Sequence, residues 1–181
     1  LLAVLVADKE KTSLKLINKW ISDVYSWDLC DHLCKNLIRF VNAARSNIST
    51  WATSQQLYIK RAAFATIACY AVHKDMDLED ELDDYLRLIL EETDDERHYI
   101  KKAASWALRE IGKINFGCHD KAITIAYDLA ESQSKAQKWI SKDALKELET
   151  LVKVPERGRL LTSKSKMGKK EVTKRLNRKN Q

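Results

Sequence analysis

The chain has 181 residues, of which only 4 are Gly and 1 is Pro, where average usage gives roughly 20 of the two together, so collagen-like, β-turn-rich and Gly-rich-loop architectures fit poorly. Its net charge of +6 is unevenly spread: residues 153–181 hold 11 Lys/Arg against Glu156 and Glu171, while residues 75–96 hold 12 acids against Arg87 alone. A composition 45% hydrophobic and 32% charged suits a helix-rich globular domain, and this length supports one sizeable core.

Helical periodicity predicts helices over residues 1–8, 13–25, 27–41, 55–73, 78–92, 95–114, 118–133 and 136–153, and no stretch alternates with period 2. The first helix opens in an apolar run (Leu1, Leu2, Val4, Leu5, Val6) without a Met, which reads as a helix whose beginning is missing. Cys30, His32 and Cys34 fall close together, but C-x-x-x-C without a second ligand pair does not make a metal site. Thr53 with Gln56 reads as a capping box for 55–73, and Thr93 with Glu96 as one for 95–114. The acidic run 75–96 reads as a solvated helix face. Gly112 and Gly117 have phosphate-loop spacing, but Cys118-His119 follows instead of Lys and Ser/Thr. Gly117 reads as a left-handed residue after a helix end. From Arg157 the chain is Lys/Arg/Ser/Asn-rich, which predicts a helical domain over 1–152 and a basic flexible tail over 153–181.

Cys30, Cys34, Cys69 and Cys118 read as reduced thiols of an intracellular protein. His32, His73, His98 and His119 have no Ser or Cys at a spacing that suggests a hydrolytic triad. No run reaches the ~18 apolar residues of a membrane span.

One internal repeat stands out. Tyr58-Ile59-Lys60-Arg61-Ala62-Ala63 recurs 41 residues later as Tyr99-Ile100-Lys101-Lys102-Ala103-Ala104. Helix pairs at a period of ~40–47 mark HEAT-type α-solenoids, whose stacked repeats form a concave face. Arg61 and Lys102 are then equivalent, and Lys102 shares a helix face with Trp106 at i, i+4. Trp27 and Asp31 are also i, i+4, on an earlier helix. If that helix lies alongside, two Trp, one Asp and one Arg converge on one face.

Several segments together carry a resemblance. They are Ser26-Trp27-Asp28-Leu29-Cys30-Asp31, Trp51-Ala52-Thr53-Ser54 with Tyr58 to Ala63, Asp95-Glu96-Arg97 with Tyr99 to Ala103, and Trp106-Ala107-Leu108-Arg109-Glu110-Ile111-Gly112-Lys113. In order, they resemble the DNA alkylation repair family of AlkD-type alkylpurine DNA glycosylases. Ser134 to Ile140 with Asp143 to Leu148 resembles the last helix of many bacterial members, so the likeness covers about residues 1–150.

The resemblance implies an all-α, HEAT-like solenoid holding duplex DNA in a basic groove and removing N3- and N7-alkylated purines. The family's Trp-x-x-x-Asp falls on Trp27 and Asp31, its second active-site Trp on Trp106, and its backbone-contacting Arg on Arg61. Lys101, Lys102 and Arg109 are the further DNA-binding candidates. Two departures are visible: the family's further N-terminal helices are absent, and the aromatic that some members carry before the motif Trp is Ser26.

The residue chemistry agrees with the resemblance. A purine alkylated at N3 or N7 is cationic and leaves as a neutral base. The need is therefore an anion beside the sugar and a positioned water rather than a general acid. The expectations are a monomer that needs no cofactor or metal and has alkylated duplex DNA as its partner. It would be cytoplasmic and nucleoid-associated in a bacterium, or nuclear through its basic tail. Two alternatives stand beside it: a catalytically silent DNA-binding relative, and a helical scaffold for protein or RNA.

Overall fold

The structure is a computed structural model that describes residues 2–179, the side chain of Lys179 excepted. In chain order the helices are α1 (Leu2–Val6), α2 (Leu14–Ser22), α3 (Trp27–Asn36), α4 (Asn42–Arg45), α5 (Ile48–Ala52), α6 (Leu57–His73), α7 (Leu82–Glu91), α8 (His98–Gly112), α9 (Phe116–Glu131) and α10 (Lys135–Leu148). A 3-10 turn, Ile38–Phe40, links α3 to α4. After α10 come two short strands, β1 (Leu151–Val152) and β2 (Leu161–Thr162), and then α11 (Lys166–Lys179). The fold is all-α apart from this antiparallel two-stranded ladder, in which Leu151 faces Thr162.

The core is organised around α6. Every residue from Lys60 to Ala71 is buried, and so many are Ala that neighbouring backbones approach closely. α6 packs between α3 and α8, α8 packs on α10, and α5 covers another side of α6. α9 lies against α8 and α10, and α7 against α9. The two copies of the repeat therefore sit near the starts of adjacent, packed helices.

α6 ends at Lys74, whose φ of 62° is the only left-handed non-Gly value among the described residues. The Asp75 N–H then reaches back to the Tyr70 carbonyl at 3.0 Å, a helix stop made without glycine.

Several expectations are corrected here. Gly117 lies inside the first turn of α9, where the side chain of Asn115 caps the Cys118 N–H at 2.9 Å. Neither capping box forms. The Thr93 hydroxyl donates back to the Ile89 carbonyl at 2.6 Å, and α8 starts only at His98. The Thr53 hydroxyl donates to the Thr50 carbonyl, and α6 starts at Leu57. The helix expected to run to 153 stops at Leu148, and β1 follows.

The acidic run is more than a solvated face. Asp75 pairs with Arg39, Glu81 with Arg45 at 2.6 Å, and Asp95 with Arg97 at 2.6 Å. Glu92 and Asp95 flank the buried Lys60 ammonium, each at 3.9 Å.

Residues 153–179, expected as a flexible tail, instead carry β2 and α11. Leu160 and Val154 are buried, the Leu160 N–H donates to the Lys113 carbonyl at 2.8 Å, and Arg159 reaches Glu110 at 2.8 Å. Two apolar anchors and a handful of polar ones hold a segment whose average composition is that of an unfolded chain. Among the described residues no helix is long and apolar enough to cross a membrane.

Candidate functional site

The site begins at the start of α3. Ser26 is extended at the N-cap, so Trp27 is the first helical residue and its indole stands half exposed. Asp31 is one turn on, on the same face. The adjoining stripe, at i+3 and i+7 from Trp27, is pinned to α6: the thiols of Cys30 and Cys34 each lie 3.6 Å from a backbone oxygen there, those of Tyr58 and Ala62.

From α6, Arg61 crosses to Asp31. Its Nε donates to Oδ1 at 3.0 Å and its Nη2 to Oδ2 at 2.8 Å. Its Nη1 donates to the carbonyl of Tyr99, on α8, at 2.6 Å. One guanidinium thus joins three consecutive helices of the packed row. The Arg61 side chain is only 6% exposed, against 22% for Asp31. Arg61 was expected to grip a DNA phosphate. Here three of its five N–H donors are used inside the protein, and its visible role is to hold a carboxylate.

Burial is the strongest influence on the Asp31 carboxyl and raises its pKa above the usual carboxylate value. The hydrogen bonds and charge of Arg61 oppose this, and the neighbouring Asp28 carboxylate adds to it. At three of the buried thiols neighbouring cations oppose the rise without overcoming it. Hydrogen bonding with Cys34, then burial, pushes the Cys30 thiol up, and burial does the same at Cys69 and Cys118. They are structural cysteines.

Along α8, the apolar residues Ile100, Ala103, Ala104, Ala107, Leu108 and Ile111 face the core. Tyr99, Lys102 and Trp106 fall at i, i+3 and i+7 on the other side. Trp106 is half-buried, two helical turns (about 10 Å) along the axis from Tyr99. Lys102 is exposed, with its ammonium 5.0 Å from the centre of the Trp139 ring on α10. Lys101 lies 5.8 Å from the same ring and pairs with Glu96 at 3.0 Å. Arg109 pairs with Glu147 at 2.9 Å, so it braces α8 against α10. Among the described residues, Lys102 is the only one of the four basic candidates without a carboxylate partner.

Sequence reasoning passed over three aromatics of this face. The rings of Tyr58 and Tyr99 are 6.3 Å apart, and Trp139 lies under the two lysines with His98 at its edge, 6.4 Å away. The repeat itself carried the signal. Tyr58 and Tyr99 are equivalent across it, and one further step equates His98 with Trp139.

A half-buried Asp held by a buried Arg, beside exposed tryptophan, tyrosine and lysine on a helical row, has the makings of a surface for a polyanion bearing flat, cationic groups. The comparison with family models gives the class a name. Residues 1–148 match the family described as DNA alkylation repair enzyme. The chain belongs to that family. No curated protein and no solved structure matches it.

Proposed function

We propose that this protein is a DNA glycosylase that excises cationic N3- and N7-alkylated purines from duplex DNA. In this proposal the row α3, α6, α8 and α10 is the inner layer of a HEAT-like solenoid, and the protein acts as a monomer. The observation that carries it is the Asp31 carboxylate, fixed by Arg61 one turn from the exposed Trp27.

The chemistry follows from charge. As the glycosidic bond breaks, positive charge moves from the base onto the sugar, and the base leaves neutral. A carboxylate about 4 Å from that charge is worth ~4 kcal/mol at an effective dielectric of 20. If that stabilisation acts in the transition state alone, it is roughly a thousandfold in rate. Asp31 supplies the charge and orients the water. Trp27 and Trp106 supply indole faces for the cationic nucleotide, ~0.5–2 kcal/mol each. Lys102 supplies positive potential toward the phosphates, and Lys101 and Arg109 add to it only in so far as they leave Glu96 and Glu147.

A second reading, binding without excision, is favoured by one observation. Both Asp31 oxygens accept from Arg61, which leaves fewer lone pairs to hold a water. Single-turnover release of 7-methylguanine from alkylated duplex separates the two. The proposal expects release by the wild type and a fall of about one to three orders of magnitude in Asp31→Asn, with both folded by circular dichroism. Duplex binding without release in the wild type favours the second reading. Equal rates in the two proteins remove Asp31 from the chemistry.

A further inference from the structure

The C-terminal segment lies outside residues 1–148, the span matched by the family. It is docked rather than loose. The Ser165 hydroxyl oxygen accepts the Gly168 N–H at 3.0 Å at the start of α11, while the hydroxyl donates to the Thr162 carbonyl at 2.8 Å. Gly168 sits so close to β2 that an added Cβ would lie 2.2 Å from the Thr162 carbonyl oxygen. Arg157 reaches the Met167 sulfur at 3.3 Å, and Arg175 donates to the Lys153 carbonyl.

Docking divides the helix into two faces. Gly168, Glu171, Met167 and Val172 turn inward, and Glu171, only 8% exposed, is bonded to Arg175 at 2.9 Å. Lys166, Lys169, Lys170, Lys174 and Arg178 are exposed. Lys166, Lys170 and Lys174 are spaced four apart along one stripe, and Lys169 and Arg178 flank it on either side. Among the described residues none of these five pairs with a carboxylate, whereas Arg39, Arg45, Lys60, Arg61, Arg97 and Arg109 all do.

We infer that α11 is a second DNA-binding element, a preformed helix at the far ends of α8 and α10 from the Asp31 site, whose outer face follows the phosphate backbone of the duplex. Charge complementarity identifies the occupant. The five cations span about 18 Å of helix, a length over which duplex DNA carries roughly ten phosphate charges. A membrane surface fits less well, because an interfacial helix needs an exposed apolar face. The apolar residues Met167 and Val172 are turned toward the hairpin, which leaves Leu176 as the exposed one. The inference rests on duplex DNA as the substrate proposed above and adds how the protein holds it.

The test measures binding of a short unmodified duplex across a salt series. Three proteins are compared: wild type, the triple variant Lys169→Gln/Lys170→Gln/Lys174→Gln, and Gly168→Val. The triple variant should flatten the slope of log affinity against log salt by about 0.9 for each phosphate it no longer neutralises, up to roughly 2.7. Gly168→Val retains every charge but cannot seat the helix, and should lose a comparable part of the slope. An unchanged slope in the triple variant overturns the inference. A wild-type slope in Gly168→Val overturns it too, because a loose polycation would then suffice. So does binding to phosphatidylserine vesicles that depends on these lysines while duplex binding does not. Base release at saturating enzyme reads the Asp31 site separately, and both variants should retain it, so failure of the helix and failure of the active site give different results.

Discussion

A carboxylate bonded through both oxygens to one guanidinium has little rotational freedom, and Asp31 is held in that way. Its ionisation is a contest in which burial outweighs the arginine and the pKa rises. The sign has two consequences. Base release that needs the charged form should fall on the acid side with an inflection above the ordinary value of about 3.9. That limb should vanish in Asp31→Asn, and single-turnover rates taken across pH would show it. For stability, the contribution of a raised carboxyl is fully present below its ordinary value and is lost as pH rises through the raised one. Near neutrality Asp31→Asn relieves the carboxylate of its charge but leaves the buried Arg61 guanidinium without a counter-charge, a loss of the kind that costs about 3–5 kcal/mol. The Asn oxygen still accepts from Arg61, so the net cost should fall below that range, and circular dichroism checks that the rate is read on folded protein.

Between elements, the loop from α7 to α8 is the tightest electrostatic joint. Asp95 accepts from Arg97, stands 3.9 Å from the buried Lys60 of α6, and lets Arg97 donate to the Gln55 carbonyl at 2.7 Å, just before α6. The Arg97 hydrogen bond holds the Asp95 carboxyl below its usual range against the pull of burial. A depressed carboxyl stabilises the fold above its unfolded pKa and loses that contribution as pH falls through the folded one. Asp95→Asn should thus cost about 1–3 kcal/mol at pH 7, with the gap from wild type closing as pH drops below about 4. Thermal melts of the pair from neutral to acid pH measure it; a gap that stays constant would refute the ion-pair account.

At this scale the sequence is legible where a helix is long enough to show a face. α6, α8, α9 and α10 all emerge from periodicity, whereas the meeting of Tyr58 with Tyr99, at equivalent positions of the repeat, was passed over. α4 and α5 are four and five residues long, too short for a period to repeat. The meeting of Asp31 and Arg61 was readable only on the condition that α3 lies alongside α6, because the repeat aligns α6 with α8 and does not reach α3. The burial of Arg61 was not, since it depends on the Tyr99 carbonyl 38 residues away. α11 was hidden by its composition, in which the inward stripe of Met167 and Val172 is too thin to outweigh the lysines.

Across the molecule, the cysteines report on cohesion. All four are buried, in α3, α6 and α9. Their reaction with an aromatic disulfide reagent should require global unfolding, with labelling rates that follow denaturant as the whole fold does. One thiol labelled rapidly in native buffer would mark a segment that opens on its own.

The charge distribution bears on how such a body moves. Residues 1–152 sum to −3, and residues 153–181 to +9. The positive part is fastened beside the ends of α8 and α10 through Glu110, Lys113 and Lys146. A rigid particle charged in this way is an electric dipole. Within a Debye length of a polyanion, ~8 Å at physiological salt, it feels a torque as well as a pull. It turns before it touches, so the basic end arrives first and productive orientations occur more often than random tumbling would allow.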